Sequence, residues 1–186
     1  MTRFIGRVVV VSLCSLFCST LILSADATKP VEAAAKVDDI LGALKGTGAK
    51  VILVNVWSAE CTPCIAEMPT LMRAAVKFKS NANVAFLGLC LPGEETNFKI
   101  AIEAATKIVQ SKVVTYRNML WTGKGETLLD RFNIIGTPYI VFLSGDGKVL
   151  GDLELPEDQV KAGDMIEKSI AKALAVPATS DAPKKL

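Results

Sequence analysis

Histidine is absent from all 186 residues. Its absence removes imidazole-ligated zinc or copper, haem held by histidine, and every catalytic triad built on an imidazole base. A marked excess of one charge is also missing: 21 Lys+Arg face 19 Asp+Glu. That near balance argues against nucleic acid or an anionic surface as the main partner. Cysteine is sparse where it matters. Of five, Cys14 and Cys18 sit in the N-terminal apolar stretch, which leaves Cys61, Cys64 and Cys90 downstream. One C-x-x-C pair without histidine does not close a four-ligand zinc site, so no metal and no cofactor are expected. There is no internal repeat, and no Pro-rich Thr-x-x-Cys motif of a peroxidase.

What is present begins with an export signal over residues 1–27. Arg3 and Arg7 precede an apolar stretch, and Ala25-Asp26-Ala27 fits a small-residue cleavage site. The alternative is an uncleaved anchor through residues 8–24, but its apolar core is about 16 residues, against roughly 20 for a comfortable span. A lipoprotein signal fits less well, because bulky Leu13 and Phe17 precede Cys14 and Cys18. Signal and anchor alike place the remainder in the periplasm or otherwise outside the cytoplasm, where disulfides persist.

Residues 28–36 read as a linker, 37–175 as one domain and 176–186 as a flexible polar tail. Within the domain, helical spacing covers Val37–Leu44, and the apolar run Val51–Trp57 reads as a strand. A helix follows over Thr62–Lys79, a strand over Val84–Cys90, a helix over Glu94–Gln110 and a short strand over Lys112–Tyr116. A helix over Glu126–Phe132 leads to strands Pro138–Leu143 and Lys148–Leu153, joined by an Asp-Gly hairpin turn. A last helix is expected over Pro156–Leu174, with Pro156 near its first position. This order joins a parallel βαβ half to an antiparallel hairpin and predicts an α/β fold, a mixed sheet with helices on both faces.

Cys61-Thr62-Pro63-Cys64 lies where the first core strand turns into a helix. Two cysteines so spaced form a dithiol/disulfide redox centre, and the helix N-terminus favours the thiolate that attacks disulfides. A purely structural disulfide is the alternative, but so short a loop restrains little of the unfolded chain. Pro63 suits the first helical turn. Pro69 has no N–H for the carbonyl four residues back and reads as scaffold. Cys90 reads as a small buried hydrophobe, with a third redox thiol as the minority alternative. Met68, Leu71 and Met72 read as core.

The stretches Val54-Asn55-Val56-Trp57, Cys61 through Pro69, and Ile135-Gly136-Thr137-Pro138 together resemble the thioredoxin superfamily, closest to the extracytoplasmic TlpA/ResA/DsbE-like reductases. The resemblance implies a thioredoxin-like fold with Cys61 attacking and Cys64 resolving. It makes Pro138 the family's cis-proline, with the Thr137 backbone free to pair with substrate; an unrelated trans proline would instead start an edge strand. Glu67 matches a glutamate able to exchange protons with Cys64, where an exposed helical glutamate is the plainer reading. Asn55 replaces the buried Asp of cytosolic thioredoxins, and Trp57 packs against the cysteine turn and contacts substrate. Glu60 departs from the family pattern of an aromatic before the first cysteine.

The function so implied is a protein thiol–disulfide oxidoreductase that reduces disulfides of client proteins, with electrons from a membrane thiol donor. By family analogy its clients belong to cytochrome c maturation or oxidase assembly. A disulfide-donating oxidase and a Cu(I)-binding thioredoxin-like module are the alternatives. A non-catalytic thioredoxin-like interaction domain fits less well, since both cysteines are kept.

Overall fold

Both faces of the strand Val51–Ser58 are covered, which is why it reads as an unbroken apolar run rather than an alternating one. Ile52, Val54 and Val56 point to one layer, and Val51, Leu53 and Trp57 to the other. The computed structural model describes residues 30–93 and 97–176. The signal and anchor readings over 1–27 and 8–24, the first two linker residues, the expected helix start at 94–96 and tail residues 177–186 lie outside the described residues.

In chain order the elements are β1 (Glu32–Ala34), α1 (Val37–Gly46), β2 (Val51–Ser58), α2 (Thr62–Phe78) and β3 (Val84–Leu91). They continue with α3 (Phe98–Ser111), β4 (Arg117–Trp121), α4 (Gly125–Phe132), β5 (Tyr139–Leu143), β6 (Val149–Leu153) and α5 (Gln159–Leu174). The six strands form one sheet in the order β1-β4-β3-β2-β5-β6. Pairing is parallel from β1 to β2 and antiparallel across β2–β5 and β5–β6. One face packs on α1 and α4 through Ile40, Leu44, Leu128 and Phe132. The other packs on α2, α3 and α5 through Leu71, Ala105, Ile166 and Ile170. Among the described residues no helix is long and apolar enough to cross a membrane.

Four boundaries differ from the sequence reading. The expected linker contains β1, an Ala-rich triplet with little β propensity that pairs with β4 and is held there by a two-pronged ion pair from Arg117 to Glu32. The strand expected at Lys112–Tyr116 lies instead at Arg117–Trp121. The earlier residues close α3: the Val114 N–H returns to the Val109 carbonyl, and Val113 takes φ 53°. α3 runs from Phe98, behind the side chain of Asn97, which accepts from the N–H groups of Lys99 and Ile100. α5 starts at Gln159 rather than near Pro156, because the Asp158 carboxylate caps it by accepting from Val160 and Lys161.

One buried polar row crosses the sheet on the α2 side. Asn55 pairs with Gly88, and Gly88 with Asn118. The Asn118 side chain lies over Gly88 so closely that a Cβ there would overlap it. Gly88 is therefore the space that Asn118 occupies.

Candidate active site

β2 delivers its C-terminal end to the top of the sheet, and the turn Ala59–Glu60 leads into α2. Cys61 is the N-cap of α2, with extended backbone at φ −83°, ψ 92°. Its Sγ takes the place of a capping oxygen and accepts the Cys64 N–H at 3.3 Å. Pro63 stands in the first turn, where its missing N–H costs no helical bond. Cys61 and Cys64 are joined as a disulfide, their Cα atoms 5.3 Å apart. The two sulfurs are not equivalent. Cys64 is 0% exposed and packs with Trp57, Met68 and Cys90, whereas Cys61 is partly open to solvent. Only Cys61 is offered to another molecule.

The Thr137–Pro138 peptide bond is cis, as the family resemblance implied and unlike the trans edge-strand alternative. Val56 pairs with Tyr139, so Pro138 stands just beyond that pair, level with Trp57 at the same end of the sheet as the cysteines. Pro138 is exposed and Thr137 is partly so. Ile135, just upstream, is 80% exposed.

Glu67 lies one turn into α2 from Cys64. It is half-buried, and that desolvation raises its carboxyl from 4.5 to about 7. It lines two adjoining cavities, in one case with Pro63 and Pro138. Pro69 lies inside α2 and withholds an N–H from the Ile65 carbonyl.

One residue is placed differently from expectation. Trp57 is 0% exposed and lies beneath Cys64 in the core, so it packs the cysteine turn from below and has no surface for substrate. Asn55 is buried as expected, but neither atom of its amide meets a hydrogen-bond partner among the described residues. The Tyr116 hydroxyl, likewise buried, is its polar neighbour: burial pushes that hydroxyl above the ordinary range and Asn55 works against the shift. Cys90 is a free, buried thiol pushed up to about 12 by burial, which suits a packing residue and not a nucleophile. Among the described residues no group of three or more acidic or cysteine side chains is placed to hold a metal ion.

Sequence reading passed over two parts of this region. Leu155 and Glu157, on the loop between β6 and α5, line the cavity beside Glu67, and Glu154 lines its neighbour. The available signal was compositional: Asp152, Glu154, Glu157 and Asp158 fall within seven residues. Tyr116 and Asn118 gave no chemical signal; Asn118 joins Asn55 through strand register across Gly88, and Tyr116 lies just before β4.

No protein-family model matches the chain, and no curated protein does. Solved structures do. The thioredoxin domain of a thiol-disulfide oxidoreductase from Bacteroides vulgatus is 23% identical, with 68% of this chain and 84% of that chain covered and a TM-score of 0.51. A thiol:disulfide interchange protein of the thioredoxin family from Chlorobium tepidum is 20% identical, covering 76% and 97%, with a TM-score of 0.51. A thioredoxin-related protein from Neisseria meningitidis serogroup B is 19% identical, covering 69% and 87%, also at 0.51. At these identities the likeness speaks for the fold. A mixed sheet carrying a cysteine pair at the head of α2 and a cis-proline level with it, in a chain that superposes on these structures, is the thioredoxin-like fold.

Proposed function

We propose that the protein is a thiol–disulfide oxidoreductase that reduces disulfides in other proteins outside the cytoplasm. The observation that carries this is the inequality of the cysteines: an accessible sulfur capping a helix, and a buried partner bonded to it. In the reduced protein the Cys61 thiolate attacks one sulfur of a client disulfide and expels the other as a thiolate, leaving a mixed disulfide. Cys64 then loses its proton and attacks the Cys61 sulfur. The client leaves as a dithiol, and the Cys61–Cys64 disulfide carries away the two electrons' worth of oxidation. The Cys64 N–H that points at Cys61 Sγ, together with the helix N-terminus, favours negative charge on the attacking sulfur. Glu67, near neutrality at about 7, is matched to accept the proton that Cys64 gives up. The backbone of the partly exposed Thr137 pairs with the extended client segment. A membrane thiol carrier resets the pair, and cytochrome c or oxidase assembly is the client class by family analogy.

The test is the reduction potential of the Cys61/Cys64 pair in glutathione or dithiothreitol buffers, with turnover of a protein disulfide by wild type and Cys61→Ser. A value near roughly −270 mV, with turnover lost in the variant, supports a reductase. A value nearer roughly −120 mV makes the disulfide form the working one and the protein an oxidase. Wild-type turnover in Cys61→Ser overturns the assignment.

A further inference from the structure

Two cavities, of about 320 and 250 Å³, share Glu67, Pro138 and Leu155 and so form one trough beside the reacting pair. It starts at Pro63, between the two cysteines, and runs to Glu154 at the end of β6. Its lining includes the apolar surfaces of Pro63, Pro138 and Leu155, and the carboxylates are Glu67, Glu154 and Glu157. No lysine or arginine is among the described residues lining either cavity.

The trough has a direction. At the α5 end the Arg73 guanidinium donates to Thr70 Oγ1 at 2.7 Å and Gln159 Oε1 at 3.4 Å, so that end carries a tethered cation. At the other end Glu154 stands in the open, and Asp152 lies close by on β6. Burial, then these two carboxylates, hold the Tyr139 hydroxyl above its ordinary range, as a negative field requires. Glu154 and Glu157 are exposed and so within reach of an incoming group.

On the reading that the protein reduces client disulfides, we propose that this trough is a specificity site for a lysine or arginine side chain of the client, close in sequence to the cysteine under attack. The proline and leucine surfaces cover the methylene stem, and the cationic head reaches Glu154 and Glu157. Continuity with the cysteine turn and the cis-proline makes the occupant part of the segment whose disulfide is being attacked. The charge of the walls makes that part basic.

The experiment measures kcat/KM of the reduced full-length protein against disulfide peptides that differ at one position near the cysteine: lysine, norleucine or glutamate. The position is walked across three residues on either side. At the best position lysine is expected to exceed glutamate by about tenfold at low salt, with norleucine between, and the gap is expected to shrink near 0.5 M salt. In Glu154→Gln/Glu157→Gln the preference falls to about twofold or less, with the norleucine value unchanged. In Glu154→Lys/Glu157→Lys it reverses toward glutamate. Equal rates for the three peptides at every position, or a preference that persists in both variants, overturns the trough while leaving the reductase reading intact. Failure to reduce any peptide removes both.

Discussion

Replacing Glu67 by glutamine removes an acid that folding makes harder to ionise. The cause is desolvation where the carboxyl is packed among Pro63, Pro138 and Leu155. Its folded value of about 7 stands above the 4.5 of the unfolded chain. The folded state therefore holds this proton through the interval from 4.5 to about 7, while the unfolded state releases it. Stability from this group is fully present below 4.5, is lost as pH rises through that window, and is constant above it. The full shift corresponds to roughly 3 kcal/mol. The group is half-buried, so solvent screening reduces the expected effect to about 1–2 kcal/mol. Glutamine keeps the shape and carries no charge. The variant is therefore expected to equal wild type near pH 4.5 and to exceed it by about 1–2 kcal/mol above pH 8. The assay is urea unfolding of both oxidised proteins at closely spaced pH values, read as the difference between them so that other titrating groups cancel. A difference that is flat with pH would refute the desolvation argument. In turnover, the same variant is expected to lose the part of the pH–rate profile that titrates near neutrality, and an unchanged profile would remove Glu67 from the proton path.

Substitutions at Gly88 and Val113 and labelling of Cys90 test the frame around the site. Gly88→Ala pushes a methyl into the buried Asn118 side chain and is expected to cost about 2 kcal/mol. Much of that loss should return in the Asn118→Ala background, and additive effects in denaturant melts would contradict the contact. Val113 is a β-branched residue at φ 53°, 64% exposed, in the turn that closes α3. Val113→Gly is expected to raise stability by about 1 kcal/mol; a lower melting temperature would show that the turn is not the strained element. Cys90 is buried with its thiol pushed up to about 12, so a maleimide should leave it unmodified in the native protein and label it promptly in urea. Rapid native labelling would show that the strand end opens.

The strands β2, β3 and β5 were legible because each is an apolar run buried on both faces, a pattern that survives without knowledge of neighbours. The cysteine pair was legible for a local reason too: strand, turn, cysteine spacing and the proline of the first helical turn are contiguous in the chain. β1 escaped notice because Glu-Ala-Ala has no strand character of its own and is extended only by its pairing with β4. The start of β4 was displaced because Val113 and Val114, which favour strands by composition, are taken up in closing α3.

The fold class, the cysteine pair and the absence of imidazole chemistry could be read from the chain alone, since each rests on residue type and short-range spacing. The assembled fold places Trp57 under the site rather than on it, because whether a side chain is covered depends on what packs above it. The same assembly raises the proton affinity of Glu67 and forms the trough it shares with Glu154 and Glu157. Desolvation and a common wall arise only when α2, the cis-proline turn and the β6–α5 loop, some 90 residues apart at the extremes, come into contact.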